Sequence, residues 1–375
     1  MKKIFTVLTS IALTFALSFS AAFANDDALI KSQNYLKTIT LDSPDAVIAY
    51  EATGMEADYK ADALLNNFKE TDYVSASYGD LAKSIIAISL LGENPKDFNK
   101  TNLVEILENR VQEDGTLTND VNGGCGATIW TLMALETVNS PKVKAVADKL
   151  STMAMENGAY WYEYQGPNAD LDTTGWAMEA LSVAGRSTYD AAISKAYTFV
   201  QSKLNRTDGY YDNWGGNADT QSCVLEGLSV AGYTLDTNAY NYLLSYQNED
   251  GTFNALNYST GQLEPNAYAS VEGARALGVI NNGSFVLNAR QDYTQTTTPV
   301  VTEPETPTTP AVKPETPITP STTTPAVKPE TTTTEPKKET VKVVNTGDNT
   351  NVMAYVVAAI AAVGVIVLVI KSKKK

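Results

Sequence analysis

No histidine occurs in the 375 residues, and cysteine occurs only twice. Without histidine the chain cannot assemble a Ser-His-Asp or Cys-His nucleophile, a His-Glu-x-x-His zinc site or any imidazole-ligated metal. Basic residues are scarce as well: 28 Lys plus Arg stand against 43 Asp plus Glu, for a formal net charge of −15. Nucleic acid is excluded as a partner on that ground, because phosphate binding needs a basic face. No cofactor motif is present. Catalysis would fall to carboxylates, Tyr, Lys or Cys, or to a hard cation such as calcium held by oxygen ligands.

Both ends carry addresses. Residues 1–24 read as a secretory signal peptide: Met1-Lys2-Lys3, an apolar run from Ile4 to Ala22, and an Ala-x-Ala cleavage site at Ala22-Phe23-Ala24. Residues 351–375 read as a transmembrane anchor, with an uncharged stretch from Val352 to Ile370 ahead of the basic tail Lys371 to Lys375. The positive-inside rule puts that tail in the cytoplasm and everything before it outside. Val343-Val344-Asn345-Thr346-Gly347 just upstream resembles the sorting signal of Gram-positive wall-anchored proteins, with Val343 and Val344 where the commonest motif has Leu and Pro. The resemblance implies processing between Thr346 and Gly347 by a sortase and attachment to peptidoglycan. Plain retention in the membrane is the alternative, and either one displays the chain at a cell surface.

Residues 295–350 are mostly Thr, Pro, Glu, Val and Lys, and Thr-Pro-Ala-Val-Lys-Pro-Glu-Thr occurs twice, from Thr309 and from Thr324. Such a composition cannot bury a core, and the segment is expected to be a disordered stalk. Residues 25–294 remain as one domain with a helical texture. Stretches that are apolar on nearly every side end at Gly92, Gly185, Gly232 and Gly278, and a fifth copy runs from Gly126 to Leu135. Between them lie amphipathic stretches, at about 95–112, 141–156, 188–204 and 237–247; a sixth pair is drawn from 28–50 or 58–68. The period of roughly 45 residues suggests stacked helical hairpins, closed into a ring or left as an open superhelix.

The turns before the apolar helices carry a family resemblance. Gln112-Glu113-Asp114-Gly115-Thr116, Asn157-Gly158-Ala159-Tyr160-Trp161, Asp208-Gly209-Tyr210-Tyr211 and Asn248-Glu249-Asp250-Gly251-Thr252-Phe253 resemble the Gln-x-x-Asp-Gly-Ser-Trp turn of the squalene-cyclase and protein-prenyltransferase repeat family. The resemblance implies an all-α fold, an α/α toroid of five to six helical hairpins with the apolar helices inside. It says little of chemistry, because one such fold carries many activities.

Asp170-x-Asp172-Thr173-Thr174 resembles the Asp-rich motif with which class II terpene cyclases protonate an alkene. The simpler reading makes Asp172 an N-cap, with Asp80 and Asp219 in the equivalent place. Gly124-Cys125-Gly126-Ala127-Thr128 resembles a thioester sequence but has Thr128 where that chemistry needs Gln, and a Cys125–Cys223 disulfide is left open. Glu179, Glu226 and Glu272 occupy matching places in three apolar helices, and either line an acidic lumen or bridge to neighbouring helices. Aromatics and acids cluster in the turns. Tyr162, Tyr164, Tyr211 and Trp214 are expected to be exposed at one mouth, with Trp161 and Phe253 stapling hairpins.

The expectation is therefore a surface-displayed module that binds an extracellular glycan, peptide or small molecule through Tyr162, Tyr164, Tyr211, Trp214, Glu179 and Glu226. The alternative is a carbohydrate-active enzyme in which two carboxylates among Asp170, Asp172, Asp212 and Asp219 act as acid and base. Terpene-type chemistry is a third reading, carried by the fold resemblance.

Overall fold

The structure is a computed structural model that describes residues 26–56, 68–120, 124–162, 166–213 and 215–297. The expected signal peptide, the expected stalk beyond 297 and the expected anchor lie outside the described residues, and no described helix is long and apolar enough to cross a membrane.

The fold is mostly helical, with one two-stranded antiparallel hairpin. Among the described residues six helices are buried on nearly every side: α2 (Pro44–Ala52), α3 (Tyr78–Leu90), α5 (Gly126–Thr137), α7 (Leu171–Gly185), α9 (Ala218–Val230) and α11 (Ala267–Asn282). One-sided helices accompany them: α1 (Asp26–Thr38), α4 (Leu103–Glu108), α6 (Val143–Met153), α8 (Asp190–Ser202) and α10 (Thr237–Leu244). Helix α8 shows the design, with Ile193, Ala196, Phe199 and Val200 buried along one stripe. A last helix, α12 (Phe285–Thr297), extends three residues past the domain end expected at 294.

The expected amphipathic helix at 95–112 is corrected to the short α4, because Phe98 and Thr101 pair as a bridge and Asn99 and Lys100 take positive φ. The all-α expectation is corrected by β1 (Phe253–Asn257) and β2 (Gln262–Asn266), which pair from Phe253–Asn266 to Asn257–Gln262. This hairpin fills the connection from α10 to α11.

Five of the six buried helices start at a side chain that accepts a first-turn N–H. Ser43 bonds Ala46, Ser77 bonds Asp80, Asp170 bonds Thr173, Asn217 bonds Thr220 and Asn266 bonds Ala269, at 2.8–3.3 Å. The caps expected at Asp80, Asp172 and Asp219 are thus corrected: those residues lie inside the first turn, because the chain turns helical before its apolar pattern begins.

The buried helices touch in chain order, α2 to α3, α5, α7, α9 and α11, and α11 packs back on α2. At that last contact a Cβ on Gly278 would sit 2.5 Å from the Ala52 carbonyl carbon and oxygen, so Gly278 marks a close approach. The helix it was expected to close runs on to Asn282, whose Nδ2 donates to Ala52 O at 2.9 Å. The outer helices are locked by the turn glycines. Gly115, Gly158 and Gly209 abut Ala145 of α6, Lys195 of α8 and Asn238 of α10, and Gly251 abuts Lys31 of α1, returning the outer series to its start. Gln247 Nε2 adds bonds to Ala28 O and Ser32 Oγ, both 2.9 Å, and Lys31 pairs with Glu249 at 3.1 Å. Helix α12 packs against α3 and α5, with Phe285 stacked on Trp130 at 6.4 Å.

Replacing Gly278 with valine forces α11 away from α2, and overpacking of this kind costs about 1–3 kcal/mol. Thermal unfolding of the G278V chain should show a lower midpoint than that of G79V, where the backbone is helical and the nearest heavy atom to a Cβ is 3.9 Å away; a larger loss at Gly79 would contradict the closure.

Candidate functional site

The caps also set which face of each helix looks inward. Counting two, six and nine residues from the cap gives residues on one helical stripe. From Asp170 they are Asp172, Trp176 and Glu179; from Asn217, Asp219, Cys223 and Glu226; from Asn266, Tyr268, Glu272 and Arg275. From Ser43 and Ser77 the count reaches Asp45 and Lys83, which pair at 2.8 Å. The stripes converge in three layers, about 10 Å deep at 1.5 Å per residue.

The outer layer is an oxygen cluster. Asn213 Nδ2 donates to Asp170 Oδ1 (3.1 Å), Asp172 Oδ1 (3.2 Å) and Thr220 Oγ1 (3.2 Å), so two N–H bonds serve three acceptors. Asp170 is further tied to the Thr173 N–H (2.8 Å) and hydroxyl (2.5 Å). Asp172 interacts with both Asp170 and Asp219, while Asp219 Oδ1 is buried without a hydrogen-bond partner. Burial, then the Asp170 charge, pushes the Asp172 carboxyl up to about 7, and burial raises Asp219. The Tyr268 side is open, its residue 56 % exposed, while its hydroxyl bonds Glu272.

Below this, Trp176 meets Trp130 edge to face at 5.7 Å, and its Nε1 is buried without a partner. Lys83 Nζ lies 4.6 Å from the centre of the Trp130 ring. Burial raises the Cys223 thiol well above its usual range, with Glu272 adding to the effect. Cys223 and Cys125 are both buried and are not joined in a disulfide. Glu272 is pushed up to about 8 by burial, against the pull of Arg275.

The deepest layer is ionic. Arg275 Nε lies 3.1 Å from both Glu226 oxygens, with both side chains 1 % exposed. Arg275 Nη2 is 3.9 Å from Glu272 and makes no hydrogen bond. Burial, then the Glu226 charge, raises Glu179 well above the usual carboxylate range, and Ser284 Oγ donates to its Oε1 at 3.4 Å. The expected match of Glu272 with Glu179 and Glu226 is corrected by the caps: Glu272 sits one layer up, and Arg275 holds the matching place.

Of the predicted carboxylates, Asp170, Asp172 and Asp219 come together, whereas Asp212 is exposed and accepts the Gly215 N–H at 3.0 Å. Glu179 and Glu226 meet, but fully buried rather than at a mouth. Tyr211 is corrected outright. It is 0 % exposed, the counterpart of Tyr160 and Phe253, and the backbone N–H groups of the three are held by Gln221, Thr174 and Ser270 side chains. The hairpin staple expected at Trp161 belongs to Tyr160 one residue earlier, while the Phe253 staple holds. Tyr162 is half-buried. Tyr164, Trp214, Thr346 and Gly347 lie outside the described residues. Sequence reading missed Arg275, Tyr268, Lys83 and Trp130; a count taken from the caps would have found all but Trp130. Among the described residues no group of three or more Cys, Asp or Glu converges as a metal-ligand set.

No protein-family model matches the chain, and no curated protein matches it.

Asp172, Asp219, Glu179 and Glu272 all bind protons more tightly folded than unfolded. The folded state therefore holds more protons between the ordinary carboxylate range and pH about 8, and stability falls as pH rises through that window. Melting followed by circular dichroism should give a higher midpoint at pH 5 than at pH 8.5, with a smaller difference in Asp172→Asn. A midpoint that rises with pH would refute the assignment.

Proposed function

We propose that this chain is a surface-displayed α/α toroid of six hairpins that binds an extracellular ligand at the mouth formed by Asp170, Asp172, Asp219, Asn213 and Tyr268. The observation that carries the reading is the convergence of the capped stripes of α7, α9 and α11 on an open outer layer rich in acceptors. The turn motifs and the return of α11 to α2 support the toroid. The signal peptide, the stalk and the anchor, with sortase and peptidoglycan at Thr346-Gly347, support display outside the cell. The mouth is centred on carboxylates and Asn213, because Tyr211 is a staple rather than part of an aromatic shelf.

The test is a thermal-shift screen of the full chain in detergent against neutral sugars, amines, amino acids and short peptides. At least one class raises the melting midpoint. In the Asp172→Asn/Asp219→Asn double variant the affinity for that class falls about ten- to hundredfold, as expected for loss of hydrogen bonds to charged groups. No shift from any class sinks the reading.

One observation favours a second reading, carboxylate catalysis on a glycoside. Asp172 keeps its proton near neutrality beside Asp219, whose Oδ1 is unpartnered. That is the division an acid and a base require. Hydrolysis of a nitrophenyl glycoside should then decline above pH about 7, where Asp172 loses its proton, and vanish in Asp172→Asn. A rate indifferent to that substitution removes Asp172 from the chemistry. Terpene-type chemistry has less support, because Glu179, Glu226, Glu272 and Arg275 lie behind Asp172 where a hydrocarbon needs an apolar wall.

A further inference from the structure

We propose that the ligand taken at this mouth is the terminal unit of a neutral saccharide, held through its hydroxyls by Asp219 and Trp176 and stacked against Tyr268. This rests on the ligand-binding reading and narrows it to one chemical class.

Several polar atoms at the mouth and beneath it lack partners. In the outer layer the shortage is of donors: Asp219 Oδ1 accepts nothing, and the two N–H bonds of Asn213 are spread over three oxygens. One layer lower, on α7, the shortage is of acceptors: Trp176 Nε1, on a residue only 8 % exposed, donates to nothing. In the deepest layer Arg275 Nη2 lacks an acceptor and Glu179 Oε2 lacks a donor. Buried polar groups left in this condition are costly, so a ligand that pairs both kinds is favoured over one that pairs a single kind.

Four ligand classes can be compared on that basis. A hydrocarbon pairs neither. An organic cation pairs Asp219 and leaves the Trp176 and Arg275 N–H bonds unused. An anion could accept those bonds but meets Asp170, Asp172, Asp219 and Glu272. A hydroxyl both donates and accepts, and a sugar ring carries several at fixed spacing. Its apolar face also needs a flat partner beside the carboxylates, and Tyr268, 56 % exposed in the outer layer, offers one.

The experiment is isothermal titration of the full chain in detergent with maltose, cellobiose and N,N′-diacetylchitobiose, and in parallel with spermidine. At least one disaccharide binds, and binds more tightly than spermidine. Asp219→Asn, which keeps the shape but loses the charge, and Trp176→Phe, which keeps the ring but loses the N–H, each weaken binding about tenfold. Tyr268→Leu weakens it with little change in the melting midpoint, and carries the test if Trp176→Phe does not fold. Spermidine bound in preference to every sugar overturns the saccharide and leaves the ligand-binding reading standing. Sugar binding that none of these substitutions changes overturns the placement. If neither class binds and the wider screen is silent as well, both readings fall together.

Discussion

The contact of α11 with α2 is the constraint on which the rest depends. Each buried helix is apolar on nearly every side and needs a neighbour on both flanks. In an open array the first and last helices of the series would each leave one flank in water. Gly278 against Ala52 removes that exposure by letting two backbones meet where a side chain would hold them apart. The outer layer repeats the solution, with Gly251 against Lys31 as the last of four equivalent contacts. Closure also brings α7, α9 and α11 onto the interior that Lys83 and Asp45 approach from the other side.

That interior is ionic rather than oily, and this costs stability. Glu226 is compensated by Arg275, and Asp45 by Lys83. Asp172, Asp219, Glu179 and Glu272 have no full counter-charge and are pushed toward their neutral forms. A fold built only for stability would place aliphatic residues at these positions, since a buried ion pair is at best a weak stabiliser. Seven acidic side chains, Asp170 among them, and two basic ones converging on one interior among the described residues are better understood through the ligand proposed for the mouth than through packing.

Much of the architecture was legible. The recurrence of apolar stretches and of Asp-Gly or Asn-Gly turns locates the hairpins, because a positive-φ glycine in contact with the next outer helix leaves a mark in composition that recurs with the repeat. The alternation of all-round and one-sided apolar helices separates the buried series from the outer one. The site was legible only in part. Taking Asp172 for a cap placed the helix start two residues late, and aligning Glu272 with Glu226 placed it one layer too deep. Both errors came from anchoring the repeats on the glycines taken to close the helices, which do not mark a constant place: α9 stops at Val230 before Gly232, whereas α11 runs past Gly278 to Asn282. The polar caps Asp170, Asn217 and Asn266 anchor the register, because each bonds a particular N–H.

By itself the sequence determined the helical hairpins, their order, and the exclusion of histidine chemistry, all of which depend on residue type and local spacing. Only the tertiary structure decided that the last buried helix meets the first, that Tyr211 is buried while Tyr268 is open, and that Asn213 gathers Asp170 and Asp172 while Arg275 neutralises Glu226. Those pairings join residues 41 to 49 positions apart, about one repeat. Their geometry follows from how each helix is rotated against its neighbour, which no local pattern records.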